Sequence, residues 1–246
     1  MNSKIDFDIT SIEKAAKTIY GIADSTPLIP SPFLSAFCKT EVLLKLESMQ
    51  PIGTFKIRGA LNAIQNLPQE ILGVTCCSTG NHGRGVAYAA KKRDIKAVIF
   101  MSKLVPRVKI EAVESLGAEV RLVGDNQTAA EIACKNFVSE HGYCEIPPFD
   151  NRDVIAGQGT IAFELVLQNP KVSTIIVPLS GGGLASGVAV AAKSKNPYIK
   201  FFEKEIKIIK KKYKKFVFFP ASFSPYNENI IWEEKNKLKV TYPKKK

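Results

Sequence analysis

From Thr26 onward, short apolar runs alternate with stretches in which apolar residues recur every three to four positions. The first pattern predicts strands and the second helices. Residues 41–47 read as a strand and 55–66 as a helix; 74–78 and 97–101 read as strands around a helix over 81–93. Residues 106–116 have helical periodicity, opened by Pro106 and stopped by Gly117. A short strand over 120–123, helices over 128–141 and 153–168, a strand over 173–177 and an alanine-rich helix complete the rhythm. Strands separated by helices imply right-handed βαβ units and parallel sheets, with ligands collecting at the carboxyl ends of strands. There are no internal repeats.

Two of those strand ends carry chemistry. Ser78-Thr79-Gly80-Asn81-His82-Gly83 follows the apolar run Val74–Cys77 and opens a helical pattern. Hydroxyls and free N–H groups at a positive helix N-terminus suit a carboxylate or phosphate, although each polar residue there could equally be an N-cap. Ser180-Gly181-Gly182-Gly183-Leu184 follows the second apolar strand. Consecutive glycines allow a nest of N–H groups around a phosphate, and a plain glycine turn is the bland alternative. Gly181, Gly183 and Gly187 also approximate a dinucleotide loop, with Glu203 about 20 residues on where a ribose-binding acid would sit. Earlier in the chain, Lys56 lies in Gly53-Thr54-Phe55-Lys56-Ile57-Arg58-Gly59-Ala60. An amine held between apolar flanks can reach its neutral, nucleophilic form; otherwise it is a helix-start lysine with a solvated head.

Composition changes this picture little. The chain has 246 residues, 45% of them hydrophobic, and a mean hydropathy near zero, as ordinary globular proteins do. Residues 201–246 hold 13 Lys against 5 Glu, a net of +8 out of the chain's +12. The basic balance therefore belongs mostly to the tail, which has no arginine and no nucleic-acid readout motif, so no specific nucleic-acid partner is expected. Five cysteines form no Cys-x-x-Cys pair, and no secretory leader is read at the N-terminus, which fits a reducing, cytoplasmic setting. No apolar run reaches the roughly 18 residues of a membrane span. Arg58 and Arg84 read as surface or structural pairs, and Lys91-Lys92-Arg93 and Lys210-Lys211-Lys212 as solvated charge.

Thr-Phe-Lys-Ile-Arg-Gly-Ala (54–60), Ser-Thr-Gly-Asn-His-Gly (78–83), Ala-Gly-Gln-Gly-Thr (156–160) and Ser-Gly-Gly-Gly-Leu (180–184) occur in this order. Over about residues 26–200 the chain resembles the fold-type II pyridoxal-phosphate (PLP) enzymes, in particular the threonine/serine dehydratase and serine racemase branch. His82 after Asn81 points to dehydratases rather than cysteine synthases. The Ser-Thr-Gly-Asn-His-Gly-Arg loop and the stretch 107–124 also look like dehydratase relatives from ectoine-degradation pathways. The resemblance implies two parallel-sheet α/β domains of the tryptophan synthase β-like fold with PLP in the cleft between them. Residues 1–68 and 151–200 would belong to the large domain, which is then incomplete, and 69–150 to the small one. It implies that Lys56 carries PLP covalently and removes the substrate α-proton. Phe55 would pack near the cofactor ring, and Asn81 would bond the ring hydroxyl. The N–H groups of Ser180, Gly181, Gly182, Gly183 and Leu184 would cup the phosphate. Ser78, Thr79 and His82 would clamp the carboxylate of a small amino-acid substrate, His82 not acting as general base.

The implied reaction is dehydration of threonine, serine or a similar 3-hydroxy amino acid to a 2-oxo acid and ammonia. Racemisation is the alternative, with the Thr79 hydroxyl on the face opposite Lys56. After Lys200 the resemblance stops: no metal site and no partner for the PLP pyridine nitrogen can be matched. Residues 201–246 read as a divergent, lysine-rich tail that packs poorly and carries no site, so that a truncated, non-catalytic remnant is a further alternative. A homodimer is expected if the fold is complete. A nucleotide-binding oxidoreductase would leave Lys56 and the Asn81 loop without roles.

Overall fold

The computed structural model describes residues 7–178 and 180–202, together with strands at 215–218, 230–233 and 237–240. In chain order these form α1 (Ile9–Ile19), β1 (Leu28–Pro30), α2 (Pro32–Cys38), β2 (Glu41–Lys45), a 3-10 turn (Glu47–Met49) and α3 (Lys56–Gln65). Next come β3 (Gly73–Cys77), α4 (Asn81–Arg93), β4 (Lys96–Met101), α5 (Arg107–Glu114), β5 (Glu119–Leu122), α6 (Gln127–His141) and β6 (Cys144–Glu145). The chain continues with α7 (Arg152–Gln168), β7 (Thr174–Ile176), α8 (Gly183–Lys195), β8 (Lys200–Phe202), β9 (Lys215–Phe218), β10 (Ile230–Glu233) and β11 (Lys237–Val240).

The helices begin where local chemistry allows. Asp8 accepts the Ser11 N–H ahead of α1, Asn126 accepts that of Ala129 ahead of α6, and Asn151 accepts those of Asp153 and Val154 ahead of α7. Helix α1 precedes the alternating pattern read from Thr26 and was not anticipated. Its apolar face, which includes Ile12, Ala15 and Ile19, is buried and packs on α7.

The described strands form three sheets, the smallest being the antiparallel pair β10–β11. The middle of the chain gives a four-stranded, all-parallel sheet in the order β5-β4-β3-β6. Helices cover it, so strand β4 is buried at every position after Lys96 and reads as a continuous apolar run. The second sheet has the order β1-β2-β9-β7-β8, parallel except for the β1–β2 pair. Two apolar cores correspond to the two larger sheets. One gathers Ile57, Leu61, Ile64, Val86, Ile99 and Met101 around α3, α4 and the four-stranded sheet. The other gathers Ile12, Ile161, Leu165, Ile175, Leu184 and Val188 around α1, α7, α8 and β7. Helix α3 packs on both α4 and α7. It is the shared wall between the two halves.

Two sequence expectations need correction. Residues 201–246 read as a tail that packs poorly, yet β9 lies inside the second sheet: Phe216 pairs with Val42, and Val217 with both Leu43 and Ile175. The parallel strands β2 and β7 each present a row of backbone donors and acceptors, and a short Phe/Val-rich segment satisfies both rows. The remaining stretches of 203–246, including Glu203 and Lys210–Lys212, lie outside the described residues. Arg93 is the second correction. Lys91 and Lys92 are exposed, but Arg93 turns inward and donates to the carbonyls of Ile64, Leu67 and Pro68, closing the C-terminal end of α3.

Candidate functional site

Lys56 is the first residue of α3, reached through a turn in which Gly53 has φ +68°. Its Nζ donates to the Pro148 carbonyl oxygen at 2.6 Å and lies 5.5 Å from the centroid of the Phe55 ring. Burial lowers its pKa to about 8, a shift opposed by the neighbouring Cys76 thiol of β3. At neutral pH a useful fraction of the amine is therefore unprotonated. Helix α4 approaches this point closely because position 85 is glycine. A Cβ there would lie 3.1 Å from the Lys56 carbonyl oxygen and 3.3 Å from the Ala60 Cβ.

The loop before α4 is organised by Ser78. Its Oγ accepts the N–H groups of Gly80 and Gly83 at 3.2 and 2.9 Å, and its own N–H bonds the Phe100 carbonyl. Thr79 at the tip is exposed, and Asn81, half-buried, begins the helix. His82 is 4% exposed. Its Nε2 pairs with the Ile146 carbonyl at 2.8 Å, while its buried Nδ1 has no partner among the described residues. Burial pushes the His82 pKa down to about 4, against the pull of the Ile146 carbonyl. The ring is thus neutral, with Nε2 as donor and Nδ1 as a bare acceptor.

The glycine loop ends in α8. Ser180 and Gly181 are exposed, Gly182 has φ +89°, and no side chain caps the first turn. The leading N–H groups of α8 therefore have no intrahelical acceptor and sit at the positive end of a 13-residue helix. Phe149 explains the glycines. A Cβ at 181 would meet its ring at 2.2 Å, and one at 183 its carbonyl oxygen at 2.8 Å. Leu184 is buried against the second core.

One short segment thus joins all three motifs. Ile146 touches His82, Pro148 touches Lys56, and Phe149 packs on the glycine loop. Sequence reasoning missed it; the Pro147-Pro148 pair in a stretch leaving the middle sheet was the available signal. The donor set suits PLP: an amine of lowered proton affinity, a glycine cradle of backbone N–H groups for a phosphate dianion, and an unpartnered imidazole nitrogen. Among the described residues no group of three or more His, Cys, Asp or Glu could hold a metal ion, and no helix is long and apolar enough to cross a membrane.

Sequence reasoning also missed a buried charge cluster behind Lys56. Arg58, read as a surface or structural group, is structural and not on the surface at 1% exposed. It bridges Glu47 and Glu164, and Glu164 in turn bonds Lys45. Lys45 is thereby fully engaged, whereas the Lys56 amine reaches the Pro148 carbonyl, next in sequence to the Phe149 that packs on the glycine loop.

Comparison with known proteins identifies the family. The chain is 45% identical over 200 residues to a putative threonine dehydratase of Sinorhizobium fredii, covering 80% of this chain and 60% of that one. It is 39% identical to a serine racemase of Dictyostelium discoideum over 80% of this chain and 61% of the relative. The structure of maize serine racemase superposes with a TM-score of 0.78 at 40% identity, covering 81% of this chain and 61% of the maize one. The chain spans about three fifths of the length of these relatives. Residues 20–209 match the model of the pyridoxal-phosphate-dependent enzymes, so the chain belongs to that family, in its threonine/serine dehydratase–serine racemase branch.

Proposed function

We propose that this chain carries the PLP-binding and proton-transfer groups of an ammonia-lyase that converts threonine, serine or a related 3-hydroxy amino acid to a 2-oxo acid and ammonia. The observation behind this reading is the convergence of the Lys56 amine, the α4 loop and the glycine loop on the 146–149 segment. Sheet division suggests a small domain over 69–150, with the large one formed by 1–68 and 151–200 and extended by β9.

When bound, PLP supplies the electron sink for the carbanion formed at the substrate α-carbon. The protein does the rest. Lys56 would hold the cofactor and accept the substrate α-proton at Nζ; its lowered proton affinity makes the neutral form available. The N–H groups from Ser180 to Leu184 would hold the phosphate at the α8 N-terminus. Asn81 would bond the ring hydroxyl and Phe55 would lie beside the ring. The substrate carboxylate is held by the α4 loop: Ser78 keeps its hydroxyl proton for donation while its oxygen shapes the loop, and Thr79 and His82 flank it. Racemisation is a second reading supported by the exposed Thr79 hydroxyl, which is free to return a proton from the opposite face.

Borohydride reduction of the protein with PLP, followed by peptide mapping, tests the assignment. A phosphopyridoxyl group on Lys56, lost in Lys56→Ala along with 2-oxo acid formation from threonine, is the expected result. Label on another lysine, such as Lys45, overturns it.

A further inference from the structure

We propose that Arg58 is a positioning residue for Lys56, acting through a buried, charge-balanced cluster that fixes the first turn of α3. The proposal rests on Lys56 being the reactive amine. It concerns how this chain sets that amine.

Arg58 lies two residues beyond Lys56, so it leaves α3 on the opposite side, away from Pro148. Its guanidinium makes two forks: Nε and Nη2 to Glu47 at 2.8 and 2.9 Å, and Nη1 and Nη2 to Glu164 at 2.6 and 3.0 Å. Nη1 also donates to Thr160 and Nη2 to the Asp24 carbonyl. Lys45 closes the cluster, donating to Glu164, to the Thr26 carbonyl and to Gln168. Thr26 Oγ1 and Gln50 satisfy Glu47. Two cations thus face two carboxylates.

Stability alone does not account for this cluster. Lys45, Arg58 and Glu47 are 0, 1 and 2% exposed; ions so buried lose as much hydration as their pairing returns, and apolar replacements often do as well. Geometry accounts for it better. Helix α3 begins with Phe55 as N-cap and no side-chain cap bond, carries Lys56 and Arg58 in its first turn, and has no acid there. The helix dipole disfavours both cations at that end. Glu47 from the turn after β2 and Glu164 from α7 supply the missing negative charge, and their planar forks fix the orientation of the turn as a single ammonium could not. Glu164, with 21% of its side chain exposed, faces a cavity of about 330 Å³ also lined by Ala16, Tyr20, Asp24 and Phe163. Arg58 and Thr160 also border it, while Lys45 and Glu47 are sealed.

The readout is the intrinsic reactivity of Lys56 in cofactor-free protein, so it does not depend on the lyase reading. Charged and titratable neighbours of Lys56 are Cys76 on β3 and His82 on α4, and both stay unchanged. Acetic anhydride labelling of Lys56, followed by mass spectrometry across pH 6–11, gives its midpoint. Arg58→Lys keeps the charge but loses both forks. The expected result is a folded protein whose Lys56 midpoint moves up by about one unit, a roughly fivefold slower labelling at pH 8. A folded Arg58→Lys protein with an unchanged midpoint overturns the proposal. If Arg58→Lys does not fold, Thr160→Val removes one Arg58 bond without changing charge, and the same upward direction is required of it; a midpoint that stays put overturns the proposal there too.

Discussion

The Lys56 ammonium donates to the Pro148 carbonyl across 92 residues of chain, and this bond ties the start of α3 to the segment leading from the four-stranded sheet into α7. The amine is thereby held in a partly apolar place with a single backbone acceptor. Such a setting weakens proton binding without removing the group from reach.

That cost has a pH signature. Lys56 has a folded pKa of about 8, below the ordinary lysine value of about 10.4 in the unfolded chain. Between these values the unfolded state binds more protons, so stability attributable to this group rises with pH from about 8 to 10. Below pH 8 the penalty is fully present, on the order of 3 kcal/mol before the Pro148 bond offsets part of it. Lys56→Met should therefore raise Tm by several degrees at pH 7 and by progressively less toward pH 10. Paired melting curves across that range check it; a gain independent of pH would assign the effect to packing instead.

The α3–α7 contact makes a second prediction. A Cβ at Gly157 would meet the Arg58 carbonyl oxygen at 2.4 Å and the Gly59 Cα at 2.6 Å. Both are backbone atoms that cannot swing aside. Gly157→Ala should push α3 from α7 and destabilise the fold by about 1–3 kcal/mol, read as a lower urea midpoint. Because α3 carries Lys56, the same change should slow 2-oxo acid formation at temperatures where the protein is still folded.

Much of this was legible beforehand because it is local. The helix at 81–93 and the strands flanking it follow from periodicity and glycine placement, and their observed ends fall within a residue or so of expectation. Lys56, the Ser78 loop and the glycine loop are sequence-contiguous motifs. What was missed is non-local. Lys45, Glu47, Arg58 and Glu164 are separated by up to 119 residues, and no spacing rule connects them. Charged side chains are usually solvated, so a fully buried Lys45 and Arg58 run against the prior that composition provides. The 146–149 segment was missed for the same reason: its contacts are backbone carbonyls, which every residue type possesses.

Thr79 separates the two reactions open to this site. Its hydroxyl is exposed at the tip of the α4 loop and makes no bond that shapes the loop, which Ser78 organises instead. Thr79→Ala should leave folding unchanged and reduce D-serine formation from L-serine by about 100-fold or more, a typical contribution of a positioned proton donor, with a smaller loss of pyruvate formation. Chiral chromatography alongside a 2-oxo acid assay reads both products from one reaction. Parallel loss of both would place Thr79 in carboxylate binding alone.

Strand β9 offers the strictest test of how the second sheet is built. Its residues pair on both sides, with Glu41–Leu44 of β2 and with Ile175–Ile176 of β7, so it holds an interior place although it follows β8 in sequence. An interior strand needs its N–H groups on both ladders, and proline supplies none. Val217→Pro should therefore cost about 3 kcal/mol or more, lowering the urea midpoint and raising amide exchange in β2 and β7. Lys200→Pro, at the start of edge strand β8, removes only the bond from its N–H to the Ser173 carbonyl and should cost less. If Val217→Pro melts like the parent and β2 and β7 stay equally protected, then β2 and β7 hold their places without β9, and the lysine-rich region contributes nothing to the sheet that supports α3 and the glycine loop.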